Sequence, residues 1–376
     1  MPDLKKIREE IDLTDDEIVR LFQHRMELTA EVAQYKIETG KAVFDRERER
    51  QKLEKLTGQA DSTFNAKGIQ ELFQQIMSIS RKRQYQLLTE NGVEEMVDYT
   101  QVEHLPTHGA KVVFQGEVGA YSFGAMKEFF DDSIQSFHVD TWKEAMESIK
   151  EGAADYAVLP IENSTAGIVS DIYDLLVQYP HYIVGEQILP VSHVLMALPG
   201  STLSDIHTVI SHPQALSQCR KYLEEHETWE TEERLNTAAA AKEVAQKGDR
   251  SLAAIGSRYA AEHFGLSVLE EGIHDAEGNA TRFVIISGQK RFVKSAQKIS
   301  ICLELPHTSG SLYNILAHFI YNNLNMTKIE SRPIPQKKWE YRFFVDFEGN
   351  LSDPAVKNAL RGIESEARKF RIFGNY

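Results

Sequence analysis

Apolar side chains recur at helical spacing through the first 90 residues of this chain. At about 100° per residue, one narrow helix face collects seven apolar positions, which are Leu4, Ile7, Ile11, Ile18, Leu21, Leu28 and Val32. This face predicts a helix over residues 4–38, and similar spacing predicts helices from Asp45 to Leu56 and from Gly68 to about Leu88. The run Thr14–Glu17 resembles a capping box, but the apolar face continues through it, so we predict one unbroken first helix.

Two cations interrupt this apolar face. Arg25 and Lys36 lie in it almost in line, eleven residues apart. A buried charge without a partner is costly, so one interpretation is that an anion binds between the helices. The other is that both long side chains reach solvent at the rim of a helix pair. The sequence leaves both interpretations open.

The first helix is long for its neighbours. At 1.5 Å per residue it extends for roughly 50 Å, more than two shorter helices can cover. We therefore expect a homodimer or a higher homo-oligomer.

The pattern changes after the third helix. Residues 92–108 lose periodicity and are predicted to form a linker. Beyond them strands and helices alternate, which is typical of a parallel or mixed sheet covered by helices. The predicted strands are Lys111–Gln115, Tyr156–Ile161, His207–Ile210 and Ala253–Ile255, and the helices begin at Thr141, about Ile168, Pro213, Thr237 and after Ser257. Two strand-like runs within Gly185–Leu198 mark where we expect the chain to cross between two lobes.

A third pattern begins at Lys298. Alternating apolar residues predict strands near residues 299–305, 326–331, 340–347 and 370–373, with one helix over 312–319 and another opened by Asp353 and Pro354. This βαββαβ order is typical of a ferredoxin-like module. The sequence thus predicts a multidomain protein, with an all-α region, a two-lobed α/β region and an α+β ferredoxin-like region.

Composition and charge exclude several classes of protein. A formal net charge of −14 argues against a general nucleic-acid binder and against binding to anionic membranes. Cys219 and Cys302 are far apart, so no disulfide framework or thiolate metal site is indicated. The histidines lack ligand spacing, and Gly116–Ser122 is neither a Walker motif nor G-x-G-x-x-G, so we expect no metal, cofactor or nucleotide. The chain begins without a signal-like apolar core, and we expect a cytoplasmic location.

The helical region carries a polar set suited to a dianionic ligand. Its members are Arg8, Arg25, Lys36, Asp45, Arg48, Glu49, Ser80 and Gln84. Arginine forks pair bidentately with carboxylates, and the set includes no nucleophile and no acid–base pair. Fixed cations and hydrogen-bond donors suit a reaction that needs only conformational restraint and stabilisation of developing charge.

On these eight residues, positions 1–90 resemble the AroQ-type chorismate mutases, which are all-helical. The resemblance implies rearrangement of chorismate to prephenate. It also implies that Arg25, Arg48 and Arg8 of the partner subunit hold the two carboxylates of the substrate.

The same resemblance assigns the remaining catalytic contacts. Lys36 and Gln84 would donate hydrogen bonds to the ether oxygen, where negative charge develops as the C–O bond breaks. Glu49 would accept the hydrogen bond of the ring hydroxyl.

Polar loops open several helices of the central region. They are Gly116–Ser122, Pro160–Gly167, Ser211–Gln214 and Asn236–Ala238. A ring of helix N-termini can bind a small anion, but ordinary capping explains any one loop equally well.

Together with Asn279–Phe283, these loops resemble prephenate dehydratase over residues 110–290. The resemblance implies a cleft between two α/β lobes, where prephenate loses its ring hydroxyl and carbon dioxide to give phenylpyruvate. Thr281 would be catalytic, through a hydrogen bond or proton relay to the leaving oxygen. The implied substrate-binding residues are Asn163, Ser164, Thr165, Ser211, Gln218, Thr281, Arg282 and Phe283, with Thr237 as a further candidate. Arg282 either pairs with a substrate carboxylate or anchors the lobe.

The C-terminal region resembles an ACT regulatory domain. Glu330–Pro333 matches its effector motif, whereas Gly310–Tyr313 keeps the glycine and leucine of the usual Gly-Ala-Leu-Val but enlarges the last residue. The resemblance implies feedback inhibition by phenylalanine, bound by Gly310, Leu312, Glu330, Ser331 and Arg332. A surface ion pair at a strand end is the alternative for Glu330 and Arg332.

Together the modules resemble the bifunctional chorismate mutase/prephenate dehydratases. We expect a mutase domain over residues 1–91, a linker over 92–108, a dehydratase domain over 109–290 and an ACT domain over 297–376. Two alternatives remain for the central region. It can be an arogenate dehydratase, which acts on the aminated relative of prephenate, or a ligand-sensing module without catalysis.

Overall fold

A computed structural model describes residues 2–93, 98–275, 278–335 and 337–376. The chain forms two compact units. One comprises residues 1–98 with 296–372, and the other comprises residues 99–295 with 373–376. The central part of the predicted linker, residues 94–97, lies outside the described residues.

The N-terminal part of the first unit consists of three helices, which are α1 (Leu4–Thr39), α2 (Arg46–Thr57) and α3 (Thr63–Glu90). Each begins at a capping side chain, namely Asp3, Asp45 and Ser62. As predicted, α1 runs without a break through Thr14. The third helix starts five residues before the predicted Gly68, because Ser62 caps it earlier and the helix tolerates the glycine.

The apolar face of α1 remains largely exposed within one chain. Leu4 is 60% exposed and Ile18 52%, whereas Thr29 and Ala33 on the adjoining edge are buried. The shorter helices therefore cover only one edge of α1, as its length predicts.

The second unit alternates strands and helices. Its first elements are β1 (Thr100–Val102), β2 (Lys111–Gln115), α4 (Tyr121–Phe129), β3 (Gln135–Val139), α5 (Trp142–Lys150), β4 (Tyr156–Asn163), β5 (Gly167–Ile168), α6 (Ser170–Gln178) and β6 (Tyr182–Pro190). Then follow β7 (Val194–Ala197), β8 (Thr208–Ser211), α7 (Pro213–Gln218), α8 (Arg220–Glu224), β9 (Glu230–Glu233), α9 (Thr237–Lys247), β10 (Leu252–Gly256), α10 (Arg258–Phe264), β11 (Ser267–Glu271), β12 (Ala280–Ser287) and β13 (Arg291–Val293).

Most of these strands form two larger sheets, one in each lobe, while β1 pairs with β13 in a separate two-stranded sheet and β5 pairs with the end of β4. The first has the order β6-β12-β4-β2-β3, and the second has the order β11-β7-β10-β8-β9. Strand β6 belongs to the first sheet and β7 to the second, so the chain crosses between lobes at residues 191–193, inside the predicted segment. Strand β12 returns to the first sheet and pairs antiparallel with both β4 and β6. This return places its first residues at the junction of the lobes.

The C-terminal elements are β14 (Lys298–Glu304), α11 (Ser311–Tyr321), β15 (Met326–Pro333), β16 (Tyr341–Glu348), α12 (Pro354–Glu366) and β17 (Lys369–Asn375). The predicted βαββαβ order is confirmed, and the strands follow the order β15-β16-β14-β17. Asp353 precedes Pro354 at the start of α12 as predicted, but its carboxylate accepts from the Asn350 amide rather than from the helix.

We predict that Gly374→Ala destabilises the second unit. Gly374 pairs with Ile183, and a Cβ there would lie 1.9 Å from the Ile183 carbonyl oxygen. Overpacking of this kind costs about 1–3 kcal/mol. Urea unfolding measures the loss, with Gly68→Ala as the control, because a Cβ at Gly68 meets nothing within 4 Å. Unchanged stability of Gly374→Ala would contradict the close pairing.

Candidate functional site

The two cations of the α1 face turn towards neighbouring polar groups. Arg25 donates to the Ser80 hydroxyl and, over 3.4 Å, to the Ile76 carbonyl on α3. Lys36 donates to the Val43 carbonyl over 2.7 Å. Both side chains are half-buried. Arg25 is thus held against α3 and Lys36 against the loop between α1 and α2, rather than extended from a rim.

Charges at the N-terminal end of α2 influence the pKa values of both cations. Burial lowers the pKa of Arg25, and Glu49 opposes the shift. Burial, followed by the charge of Arg48, lowers the pKa of Lys36, while Asp45 and Glu49 oppose it. Asp45 also caps α2 by accepting from the Arg48 amide over 3.0 Å. The structure therefore brings together cations and carboxylates that the sequence places on separate helices.

Two further candidates lie on α3. Ser80 and Gln84 are buried, and the Gln84 amide donates to the Ser80 carbonyl over 3.2 Å. Among the described residues, the buried Oε1 atom of Gln84 has no hydrogen-bond partner. Buried polar atoms are rarely left unsatisfied, so Oε1 can still accept a hydrogen bond from a ligand, while donation to a ligand falls to the second hydrogen of the Nε2 amide.

Arg8 is the member of the set that stands apart. Its side chain is exposed on the first turns of α1. Its expected role at the site of a partner subunit stays a prediction.

At the lobe junction, Asn163 and Thr281 are register partners on β4 and β12. Asn163 Nδ2 donates to Thr281 Oγ1 over 2.9 Å and to Asn279 Oδ1 over 2.9 Å. The side-chain oxygen of Asn163 accepts hydrogen bonds from the backbone N–H and the hydroxyl of Thr165. The Ser164 hydroxyl accepts a hydrogen bond from the backbone N–H of Ala280. Because Thr281 Oγ1 accepts the Asn163 bond, its own proton is available to donate elsewhere.

Arg282 is enclosed by acceptors. Its side chain is 13% exposed, and its guanidinium lies 2.8 Å from Glu186, 3.5 Å from Glu162 and 2.8 Å from the Tyr376 hydroxyl. Of the two roles left open by the sequence, this geometry favours anchoring of the lobe. Phe283, the next residue, is 2% exposed and packs in the core of the first lobe. The structure thus places Phe283 in the core and away from the cleft.

The remaining loop residues bond within the protein. Ser211 is fully buried and donates to the Ile255 carbonyl over 2.6 Å. His212 caps α7 and Asn236 caps α9, directly before Thr237, so ordinary capping accounts for these two helix starts.

A hydrogen-bonded chain at the crossover was not found from the sequence. Tyr121 bonds to Nδ1 of His193 over 2.9 Å, and Nε2 of His193 bonds to Oε1 of Gln218 over 2.9 Å. Burial lowers the pKa of His193, which favours the neutral ring, and burial raises the pKa of Tyr121. Because His193 holds the carbonyl oxygen of the Gln218 side chain, the NH₂ group of that amide is the part that can donate to a ligand. The one signal in the sequence was the position of His193 inside the predicted crossover segment. Because the histidines show no regular spacing, the sequence did not single it out.

The loop after β14 borders a cavity of about 360 Å³ in the C-terminal region. Its lining includes Ser311 and Leu312 from the predicted effector segment, with Tyr341 and Phe343 from β16. Glu330, Ser331 and Arg332 lie on β15, which pairs with β16 through Ser331 and Phe343. The two predicted effector segments therefore flank neighbouring parts of one sheet.

Metal and membrane features are absent from the described part of the chain. Within it, no group of three or more His, Cys, Asp or Glu side chains is arranged to hold a metal ion. Nor does any helix in the described ranges have the length and apolar character needed to traverse a bilayer.

Comparison with known proteins matches both the helical region and the central region to known families. A model of the chorismate mutase type II family matches residues 7–85, and one of the prephenate dehydratase family matches residues 112–291. The bifunctional chorismate mutase/prephenate dehydratase of Escherichia coli K12 is 34% identical over 382 residues, covering 99% of this chain and 96% of the relative.

The chain belongs to the bifunctional chorismate mutase/prephenate dehydratase family. Two partial relatives extend the comparison. Prephenate dehydratase from Arthrobacter aurescens, solved in complex with L-Phe, is 30% identical with a TM-score of 0.65, over 71% of this chain and 89% of that one. Arogenate dehydratase 3 of Arabidopsis thaliana is 36% identical over 72% of this chain and 68% of its own length.

We predict that His193 stays neutral in the folded protein, with the proton on Nε2. Burial is the main cause, so its pKa falls below the ordinary 6.5 rather than above it. Nitrogen NMR of the imidazole rings through an acid titration measures both the tautomer and the pKa, with the exposed His104 as a reference. A pKa above 6.5, or a proton on Nδ1, would contradict the hydrogen-bonded chain from Tyr121 through His193 to Gln218.

Proposed function

We propose that this chain is a bifunctional enzyme of phenylalanine biosynthesis. Its helical region rearranges chorismate to prephenate, and its central region converts prephenate to phenylpyruvate, water and carbon dioxide. The observation that carries the proposal is the half-buried pair Arg25 and Lys36, grouped with Glu49 in the segment that matches the chorismate mutase family. The proposed domains are residues 1–91 for the mutase, 92–108 for the linker, 109–290 for the dehydratase and 297–376 for an ACT domain. The expected cytoplasmic location stays a prediction.

The proposed rearrangement needs no covalent help from the protein. Arg25 and Arg48 bind the two carboxylates, joined by Arg8 of the partner subunit, and hold the substrate in a compact conformation. Lys36 and Gln84 then donate to the ether oxygen as its charge grows. Charge stabilisation by preorganised groups is worth several kcal/mol in a site shielded from water.

In the proposed dehydration, the cleft residues orient prephenate and assist departure of its ring hydroxyl. The Thr281 hydroxyl donates a hydrogen bond to the leaving oxygen. Its own proton can do so because the bond from Asn163 is one that Thr281 Oγ1 accepts. Gln218 offers its NH₂ group to the substrate while His193 holds its carbonyl oxygen. Aromatisation of the ring drives the loss of carbon dioxide. Arg282 and Phe283 support this site from the lobe and are left out of the substrate contacts.

Incubation of the pure protein with chorismate as its sole substrate tests the proposal. Phenylpyruvate forms if both activities reside in this chain. Accumulation of prephenate without phenylpyruvate would reduce the central region to the ligand-sensing alternative, and unreacted chorismate would refute the mutase.

We predict reciprocal effects for one variant in each site. Lys36→Ala removes the donor to the ether oxygen and lowers mutase turnover by about a hundredfold or more, while dehydration of prephenate continues. Thr281→Ala lowers dehydration by a comparable factor and leaves rearrangement intact. The two steps are assayed separately with chorismate and with prephenate.

The exposed Lys52 provides the matched control, since Lys52→Ala removes the same charge from the surface of α2. Loss of both activities in folded Lys36→Ala protein would contradict the assignment of separate sites.

We also propose that the C-terminal region is an ACT domain that binds phenylalanine and inhibits the enzyme. Support comes from the cavity beside Leu312, from the position of the Glu330–Pro333 motif one strand away, and from the βαββαβ order. A dehydratase of known structure with an L-Phe ligand is consistent with this proposal.

We predict that Arg332→Ala raises the phenylalanine concentration for half-inhibition by about tenfold or more, because a charge-assisted hydrogen bond contributes about 1.5–3 kcal/mol. Turnover without phenylalanine remains. Dehydratase assays across a phenylalanine series measure the shift, with the exposed Lys338→Ala as control. Identical inhibition curves for Arg332→Ala and the parent would remove Arg332 from the effector site.

A homodimer or higher homo-oligomer belongs to the same proposal. The exposed apolar face of α1, with Ile7 41%, Ile11 52% and Leu21 51% exposed, needs a cover of matching length. A second α1 supplies one, and it also brings Arg8 of the partner subunit to the site.

Arogenate is a second candidate substrate for the central region. A relative named as an arogenate dehydratase is 36% identical to this chain, and the cleft residues do not separate a keto from an amino side chain. Turnover measured on prephenate and on arogenate with one protein preparation decides between them.

A further inference from the structure

Arg81 is a buried cation that neither proposed ligand set includes. It follows Ser80 on α3, and its side chain is 6% exposed. Its guanidinium lies 2.5 Å from Glu49 Oε2 and 3.0 Å from Glu366 Oε1. The ring of Phe44 lies 4.6 Å from the guanidinium carbon and packs against it. Two carboxylates and an aromatic face thus fix the position of Arg81.

The second carboxylate comes from the C-terminal region of the same compact unit. Glu366 is the last residue of α12, and its side chain is 8% exposed. The same oxygen that meets Arg81 also bonds to His318 Nε2 over 3.1 Å. A Cβ on Gly362 would lie 2.2 Å from the His318 ring, so the glycine makes room for the ring beside α12. Glu366 is therefore fixed from both sides.

The charges in this cluster favour the ionised forms. Burial acts to lower the pKa of Arg81, but Glu366 and Glu49 outweigh it and the pKa is raised. Burial acts to raise the pKa of Glu366, but the bond from His318 and the charge of Arg81 outweigh it. Removing one partner of such a buried ion pair strongly destabilises the protein, because the other charge stays buried without its partner.

The position of Glu49 depends on this cluster. Arg81 binds its Oε2 atom, so Oε1 is the oxygen that can accept a hydrogen bond from a ligand. Glu49 is also close enough to Arg25 and Lys36 to influence both of their charges. A carboxylate on a surface helix would otherwise sample several rotamers, and a fixed partner removes that freedom.

We propose that Arg81 is a positioning residue for the chorismate rearrangement, which holds Glu49 for the ring hydroxyl and is itself held by Glu366. This inference rests on the proposed mutase function. It makes the mutase reaction depend on a carboxylate 285 positions away from Arg81 in the sequence. Arg81 acts through Glu49 and does not touch the substrate.

The test compares chorismate with an analogue that lacks the ring hydroxyl. Arg81→Met lowers kcat/KM for chorismate by about tenfold, as expected for one misplaced hydrogen bond, and leaves the analogue nearly unaffected. Glu49→Gln and Glu366→Gln shift the same ratio of the two substrates in the same direction. A purely structural role for Arg81 would slow both substrates equally, and that result would overturn the proposal.

A neutral double variant keeps the test valid if Arg81→Met folds poorly. Arg81→Met combined with Glu366→Met removes both buried charges, and such replacements are often well tolerated. The hydroxyl-specific loss persists in this variant, because Glu49 still lacks its partner. Recovery of the parental substrate ratio would show that only packing matters and would overturn the proposal.

Two controls separate this inference from the proposed function. Arg83→Met removes a cation from a more exposed position of the same helix and leaves the ratio unchanged, while dehydratase turnover reports on folding. If chorismate does not react with the parent protein, the proposed function fails and the inference with it. If Glu49→Gln shifts the ratio but Arg81→Met does not, the inference alone fails.

Discussion

A charge removed from water must find a partner, and this constraint organises the candidate sites. Arg282 shows the closed case, since Glu186, Glu162 and Tyr376 surround its guanidinium, which favours anchoring of the lobe. Arg25 and Lys36 show the open case. Each bonds to neutral oxygen atoms and is influenced by a carboxylate, so each remains able to pair with a dianionic substrate. The degree of pairing thus separates supporting cations from those available for catalysis.

Local sequence signals predicted the elements whose causes are local, whereas strands such as β3, β9 and β12 were not predicted. The capping box at Thr141, the proline at the start of α7 and the alternation in β14 depend on residues within one or two turns. Strand β4 extends past the predicted Ile161 to Asn163, because β12 pairs with it there. That pairing joins residues more than a hundred positions apart. A local sequence pattern therefore cannot predict this pairing.

The same distinction explains the site residues. Periodicity alone identified Arg25 and Lys36 as candidate site residues, because both interrupt an apolar face. Asn163 and Thr281 were identified from the motifs of a known family. The contact of Arg81 with Glu366 and the alignment of His193 with Gln218 join distant segments, so only the fold revealed them. The motif around Thr281 did not distinguish core residues from cleft residues. The structure does so, because Phe283 on β12 is buried in the core of the first lobe.

The proposed mutase site depends on two half-buried cations, Arg25 and Lys36, that can bind a substrate with two carboxylates. A crystal structure with a bicyclic dicarboxylate that mimics the transition state of the rearrangement tests it most directly. We predict that the two carboxylates bind Arg25 and Arg48 and that the ether oxygen lies near Lys36 and Gln84. Binding elsewhere on the protein, with Arg25 still bonded to Ser80 and no ligand beside it, would contradict a substrate site at Arg25 and Lys36.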